Sequence, residues 1–117
     1  MYSMATDLLK KKCVPCEGGV DPFTPEQIKE HMEYLTAPWD VIDNIKIRHE
    51  FKLESFRSAI EFVNKIADLA EDEGHHPDIH IYYKRVVIEL WTHAIKGLSL
   101  NDFILAAKIE NIFNTRS

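Results

Sequence analysis

The chain has 117 residues, of which 45% are hydrophobic and 28% are charged, and this balance is typical of one soluble globular domain. The formal net charge of −5 argues against direct nucleic-acid binding, which usually needs a basic surface, and against attraction to a membrane surface. No apolar run approaches the roughly 18 residues of a transmembrane helix, and the N-terminus lacks the apolar core of a signal peptide. We therefore expect a cytoplasmic protein.

The N-terminal residues combine prolines, glycines and cysteines with no sustained hydrophobic period, which predicts an irregular and mobile lead-in over residues 1–23. The single folded domain is then expected to span residues 24–117. Cys13 and Cys16 form one Cys-x-x-Cys pair. Because a structural zinc site takes four ligands and the chain has no second pair, we interpret both as free thiols rather than as a metal or redox site.

The next part of the sequence predicts one helix and two strands. The TPEQ run at 24–27 begins the helix with a capping box, and Pro38 ends it. A short strand is expected at 39–42. Apolar and charged residues then alternate over 45–53, which predicts a strand with one buried and one wet face. His49 falls on the buried face, and we interpret it as a histidine at the edge of the core.

The second half of the sequence predicts another helix and two more strands. Residues 54–73 have helical spacing, and Gly74 is placed to end the helix. The expected apolar face of this helix consists of Phe56, Ile60, Val63, Ala67 and Ala70. Two strands are expected at 79–83 and 86–93, joined by a turn at 84–85.

A last helix begins at Ser99-x-x-Asp102, which has the spacing of a capping box. Its apolar residues spread beyond one narrow stripe, so we expect it to contact a second partner. The resulting order is α-β-β-α-β-β-α. This order predicts an α+β fold, with a four-stranded antiparallel sheet and helices packed on one face.

Three histidines are candidates for proton-transfer chemistry. His75 and His76 lie between a predicted helix and strand, and Pro77 biases His76 toward extended backbone. If the last two strands pair as an antiparallel hairpin, His93 returns to the end where the first of them began. Because histidine has an ordinary pKa of about 6.5, imidazoles in different environments can serve as acid and base at one pH.

The residues alone leave other interpretations open. Histidine pairs also occur on exposed loops, and His80 has the pattern of such a surface residue. A metal site is a rival, because four imidazoles could supply nitrogen ligands: His75, His76, His80 and His93. Asp102 has a simpler interpretation as the carboxylate of a capping box. Four acids also crowd the end of the preceding helix, where the helix dipole disfavours them, which indicates a role for some: Asp68, Glu71, Asp72 and Glu73.

Seven residues share the spacing of one known signature: Glu71, His75, His76, Pro77, Tyr83, His93 and Asp102. This pattern closely resembles that of the pterin-4a-carbinolamine dehydratases, a family also known as the dimerisation cofactor of a homeodomain transcription factor. The CVPCEGG run at 13–19 looks like the bacterial branch, and the segments at 51–56 and 97–99 are also similar to the family. The resemblance implies the same element order and a reaction in which 4a-hydroxytetrahydropterin loses water to give quinonoid dihydropterin.

The resemblance also implies roles for the histidines. His75, His76 and His93 would be the essential residues, with His75 and His93 as the acid–base pair. His76 would contact the substrate together with Pro77, and Trp91 would border the pterin ring. No metal or organic cofactor is implied, because the pterin is itself the substrate.

Supporting residues and partners follow from the same resemblance. Glu71 and Asp102 would hold or polarise the imidazoles. Family members form dimers and tetramers, which implies self-association here, and the reaction implies a functional link to an aromatic amino-acid hydroxylase through pterin recycling. Because eukaryotic members also bind a transcription factor, a protein-interaction module is the alternative function.

Overall fold

The structure, a computed structural model, describes residues 8–14 and 20–116. Three helices longer than one turn and four strands follow one another along residues 20–116: α1 (Pro25–Met32), β1 (Asp40–Ile42), β2 (Lys46–Lys52), α2 (Phe56–Glu73), β3 (Asp78–Tyr82), β4 (Arg85–Leu90) and α3 (Leu100–Asn114). A single 3-10 turn, His93–Ile95, lies between β4 and α3. The predicted α+β class and element order are confirmed. No helix in the described part of the chain is both long and apolar enough to cross a bilayer.

The four strands form one antiparallel sheet in the order β1-β2-β4-β3. In the register of β4, Val86 lies opposite Phe51 of β2, and Ile88 lies opposite Ile79 of β3. Successive side chains of a strand point to opposite faces, so one face of the central strands packs into the core. The buried residues of that face are Ile47, Phe51, Val86, Ile88 and Leu90. The opposite face carries charged side chains joined in ion pairs.

Helix α2 begins at the N-cap Ser55 and ends at Gly74, which adopts the left-handed conformation at φ 68°. Its buried face differs from the predicted one: the buried residues are Ala59, Phe62, Ile66, Ala70 and Glu73. Phe56, predicted to be buried, is 52% exposed. Apolar residues cover a wide arc of this helix, so periodicity leaves the buried side undecided. The small side chain of Ala59, fully buried, lies on the side that packs inward.

Helix α3 is the central element of the core. Its apolar residues spread round the helix because the chain itself covers several sides. Contact with a second partner stays a prediction. Phe103 stacks with Phe23, which precedes α1, and Phe113 contacts Phe51 of β2 and Phe62 of α2. The fully or almost fully buried apolar residues of α3 are Phe103, Ile104, Leu105, Ala106, Ala107 and Ile109.

The N-terminal segment differs from the predicted mobile lead-in where it is described. Residues 8–10 are helical, and Leu8 and Cys13 are buried in the core. The lead-in lacks a hydrophobic period because single side chains, rather than a repeating face, attach it to the domain. Cys16, predicted to be a free thiol, lies outside the described residues; Cys13 is a free thiol.

The β3–β4 hairpin is shifted slightly from its predicted position. Its turn lies at Tyr83-Lys84, and Tyr83 has a φ of 57°. β4 ends at Leu90 rather than at His93. The apolar run of β4 continues into Trp91, so composition alone gives no signal for the end of the strand.

Candidate active site

A cavity of about 390 Å³ lies where the end of α2, the start of β3 and the end of β4 meet. Its lining includes five of the residues predicted as site residues: His75, His76, Pro77, Trp91 and His93. The structure therefore brings the three histidines to one opening. Their catalytic roles stay predictions.

Local backbone chemistry explains why the histidines meet. Gly74 turns the chain sharply at the end of α2, and both its N–H and that of His75 donate to the carbonyl of Ala70. β3 begins three residues after His75, and the antiparallel hairpin brings the chain back to the same end of the sheet. Thr92 then forms an isolated bridge with Gly97, which closes the loop that carries His93.

His75 and Asp102 form the most buried polar pair of the site. Nε2 of His75 lies 2.6 Å from Oδ1 of Asp102, whose side chain is 0% exposed. The second oxygen, Oδ2, accepts hydrogen bonds from the Thr92 hydroxyl at 2.8 Å and from the Ser99 N–H at 2.9 Å. A carboxylate can only accept hydrogen bonds, which makes Nε2 of His75 the donor in this pair. Asp102 thus serves both as the cap of α3 and as the partner of His75.

His76 forms a second histidine–carboxylate pair, with Nε2 at 2.5 Å from Oε2 of Glu71. Both side chains are more than half exposed, so water screens this pair far more than the buried one. The His76 imidazole lies at the cavity, which it helps to line. Glu71 is one of the four acids crowded at the end of α2, and its role in the site stays a prediction.

His93 lies against the indole of Trp91, with ring centroids 4.0 Å apart and planes at 35°. Trp91 Nε1 donates to Oδ2 of Asp78 at 3.2 Å, which holds the indole at the cavity wall. Both rings were predicted to lie in the strand expected at 86–93. They instead follow the end of β4, with His93 in the 3-10 turn, and the turn brings them together.

Sequence reasoning missed three polar residues of the cavity: Asp78, Thr92 and Asn101. Asp78 follows Pro77 directly, and Asn101 and Thr92 each precede a predicted site residue, so adjacency was the only available signal. Their roles depend on partners far away in the sequence. For example, Asn101 hydrogen-bonds to Val14, which lies 87 positions earlier.

His80 lies outside this cavity, on the charged face of the sheet, where its Nε2 is 3.9 Å from Oε1 of Glu89. This position agrees with the expected surface histidine. Within residues 8–14 and 20–116, no group of three or more His, Cys, Asp or Glu side chains is arranged to hold a metal ion. The described geometry therefore gives no support to the histidine metal site.

The protein is an α+β domain in which two histidine–carboxylate pairs lie at one cavity. Residues of these types transfer protons in general acid–base enzymes. Residues 21–112 match the family model described as pterin 4 alpha carbinolamine dehydratase. The chain therefore belongs to the pterin-4a-carbinolamine dehydratase family, and the resemblance noted from the sequence is confirmed. Members of this family are dehydratases, that is, carbon–oxygen lyases.

Individual relatives agree with this assignment. A Rickettsia bellii (strain OSU 85-389) protein, provisionally designated a pterin-4-alpha-carbinolamine dehydratase, is 44% identical over 112 residues, covering 96% of this chain and 99% of its own. The mitochondrial pterin-4-alpha-carbinolamine dehydratase 2 of Arabidopsis thaliana is 44% identical over 115 residues, covering 95% of this chain and 62% of its own. A crystal structure of a transcriptional coactivator/pterin dehydratase from Brucella melitensis superposes with a TM-score of 0.74 at 30% identity, covering 79% of this chain and 98% of its own.

Proposed function

We propose that this protein converts 4a-hydroxytetrahydropterin into quinonoid dihydropterin and water, with cavity histidines as acid and base. A base takes the proton from N5, the electron pair of that bond forms the C4a=N5 double bond, and the 4a-hydroxyl leaves as water after an acid protonates it. No electrons are exchanged with another reactant. The observation that carries the proposal is the convergence of His75, His76 and His93 on one cavity in a chain of this family.

His75 is the better candidate for the base. With Nε2 donating to Asp102, Nδ1 offers a lone pair, and the imidazolium formed by proton uptake is stabilised by the buried carboxylate. His93 is then the acid that protonates the departing hydroxyl. Each such proton transfer is typically worth roughly 10²–10⁴ in rate.

The remaining residues of the site position the substrate. Trp91 presents an aromatic face beside His93, suited to stacking against a planar pterin ring. His76 and Pro77 contact the substrate at the rim, with Glu71 orienting the His76 imidazole. The pterin is the reactant, and the proposed chemistry needs no metal or organic cofactor.

The cellular role follows from the reaction. We propose that the protein acts in the cytoplasm, recycles pterin for an aromatic amino-acid hydroxylase, and works as a homo-oligomer. A second candidate function is a protein-interaction module, favoured by the coactivator designation of the Brucella melitensis structure. The net charge of −5 makes a protein a better partner than DNA for such a module.

The deciding experiment follows the appearance of the quinonoid product from freshly generated 4a-hydroxytetrahydropterin. The protein is expected to accelerate this step well above the uncatalysed rate, and EDTA is expected to leave the acceleration unchanged. A rate equal to that without protein would reject the dehydratase and leave the interaction module. Activity that is lost on chelation and restored by zinc would reject the metal-free mechanism.

A further inference from the structure

The N-terminal segment at 8–14 lies outside both the predicted domain and the part of the chain that matches the family model, yet it is built into the site. Leu8 is 2% exposed and Cys13 is 7% exposed, so two of its side chains lie in the core. The Cys13 N–H donates to Oε1 of Glu73 at 2.7 Å, and Oε2 of Glu73 accepts from Nζ of Lys108 at 2.6 Å. The buried Glu73 carboxylate, paired with Lys108, thus anchors the segment beside the end of α2.

Asn101 holds the next residue of the segment by both groups of its amide. Its Oδ1 accepts from the Val14 N–H at 3.0 Å, and its Nδ2 donates to the Val14 carbonyl at 2.7 Å. The Asn101 side chain thus pairs with the Val14 backbone as a neighbouring strand would. Asn101 is only 5% exposed, so water does not compete effectively for these hydrogen bonds.

Val14 lines the same cavity as His75 and His93, and the residue is 66% exposed. A ligand in the cavity would cover this side chain and gain from removing its apolar surface from water. Asn101 also directly precedes Asp102, so one turn of α3 holds both the Val14 wall and the His75 imidazole.

We propose that Asn101 is a positioning residue that holds Val14 as one wall of the pterin cavity. The segment at 8–14 is then part of the substrate site rather than a lead-in to it. This inference rests on the proposed function for the identity of the ligand. It concerns binding, whereas the proposed function concerns turnover, so the two can be tested separately.

The test compares Asn101→Ala with Asn111→Ala, a matched substitution on an exposed position of the same helix. Titration with 6-methyl-7,8-dihydropterin, a stable analogue, measures Kd, and turnover of 4a-hydroxytetrahydropterin measures KM and kcat. Asn101→Ala is expected to raise Kd and KM at least fivefold while kcat stays within twofold of the wild type. Asn111→Ala is expected to change neither quantity.

A second variant, Val14→Gly, removes the wall but leaves the Asn101 hydrogen bonds in place. It is expected to raise Kd in the same direction, and unchanged thermal melting would show that the fold survives. Unchanged Kd in both Asn101→Ala and Val14→Gly would overturn the inference. A loss of kcat at constant Kd in Asn101→Ala would also overturn it, because Asn101 would then act through Asp102.

Two wild-type outcomes separate this inference from the proposed function. If the wild type binds the analogue but does not turn over the substrate, the proposed dehydratase function is rejected. The comparison of Kd values still tests whether Val14 forms a wall of the cavity. If the wild type does not bind the analogue at all, the cavity is not a pterin site. The inference that Val14 forms a wall of that site is then rejected.

The alkylation rate of the Cys13 thiol reports separately whether the segment at 8–14 is held in place. Burial, followed by the nearby Glu73 carboxylate, raises the pKa of Cys13 to about 12, so little reactive thiolate exists at pH 8. In a Cys16→Ser background, Cys13 is the only thiol of the chain. Alkylation at pH 8 is expected to be slow in this background and at least tenfold faster when Asn101→Ala is added. Equal rates would show that Asn101 does not hold the segment.

Discussion

Asp102 is fully buried, and its Oδ1 lies 2.6 Å from Nε2 of His75, a residue 27 positions earlier in the chain. The same carboxylate accepts the Ser99 N–H at the start of α3, so one side chain joins a helix cap to the proposed base. The orientation of His75 is therefore set by a rigid element of the core rather than by the loop that carries it.

The first prediction concerns this pair. Asp102→Asn keeps the shape of the side chain but removes the charge that selects the Nε2–H form of His75. We expect kcat to fall at least about tenfold, a part of the roughly 10²–10⁴ that a proton transfer contributes, with little change in KM. Steady-state turnover measures the effect. Asp72→Asn, at an exposed position, is the control, and equal activities of the two variants would contradict the role of Asp102.

The second prediction separates the histidines. His75→Ala and His93→Ala are each expected to lower kcat by one or more orders of magnitude, because each removes a proposed proton-transfer group. His80→Ala is expected to have little effect, since His80 lies outside the cavity on the charged face of the sheet. Circular dichroism checks that all three variants fold. Damage from His80→Ala comparable to that from His93→Ala would place the site elsewhere.

The third prediction concerns pH and the anchor of the N-terminal segment. Burial alone would raise the pKa of Glu73, but hydrogen bonds from Lys108 and the Cys13 N–H lower it below its ordinary value overall. A carboxyl group whose pKa is lower in the folded state stabilises the fold above its unfolded pKa of about 4.3, and this contribution is lost as pH falls through the folded pKa.

Glu73→Gln should accordingly lower the free energy of unfolding at pH 7 by about 1.5–3 kcal/mol, the range for hydrogen bonds to charged groups. The difference from wild type should shrink as the pH falls below about 4. Urea unfolding at several pH values measures it. Glu61→Gln, at an exposed position of the same helix, is the control. A difference that stays constant from neutral to acidic pH would show that the charge of Glu73 does not matter.

The fourth prediction is that the protein is a symmetric homo-oligomer. In the described sheet, β1 and β3 each have a neighbouring strand on one side only, and proteins rarely leave such edges bare. Pairing of one edge with its copy would make a twofold interface. Light scattering at micromolar concentration is expected to give two or four times the chain mass of 13.6 kDa. A single species at the chain mass would refute the prediction.

Local sequence was sufficient for the order of elements and for the placement of His75 and His76 between a helix and a strand. Alternation over 45–53 and helical spacing over 54–73 reflect backbone periods that neighbouring residues set among themselves. The turn at Gly74 and the restriction at Pro77 are likewise properties of single residues. Because these features bracket His75 and His76, their place between helix and strand was predictable.

Tertiary structure decided which side of each element is buried and which distant groups meet. Periodicity left the wide apolar arc of α2 ambiguous, and only packing placed Phe56 outside the core. The buried carboxylate of Glu110 shows the same dependence: it accepts hydrogen bonds from the Ala37 N–H and from Nε1 of Trp39, both more than 70 positions away. In the sequence, Glu110 looks like an ordinary surface acid of a helix.

The same distinction runs through the site. The sequence by itself determined that three imidazoles and two carboxylates were available, because residue type and spacing carry that information. Only the tertiary structure decided which imidazole Asp102 contacts, namely that of His75, and that Asn101 hydrogen-bonds to Val14 at the cavity. Each of those contacts needs a buried polar group to find its partner across the core. The free energy that selects such a partner comes from the desolvated interior, which exists only once the chain has folded.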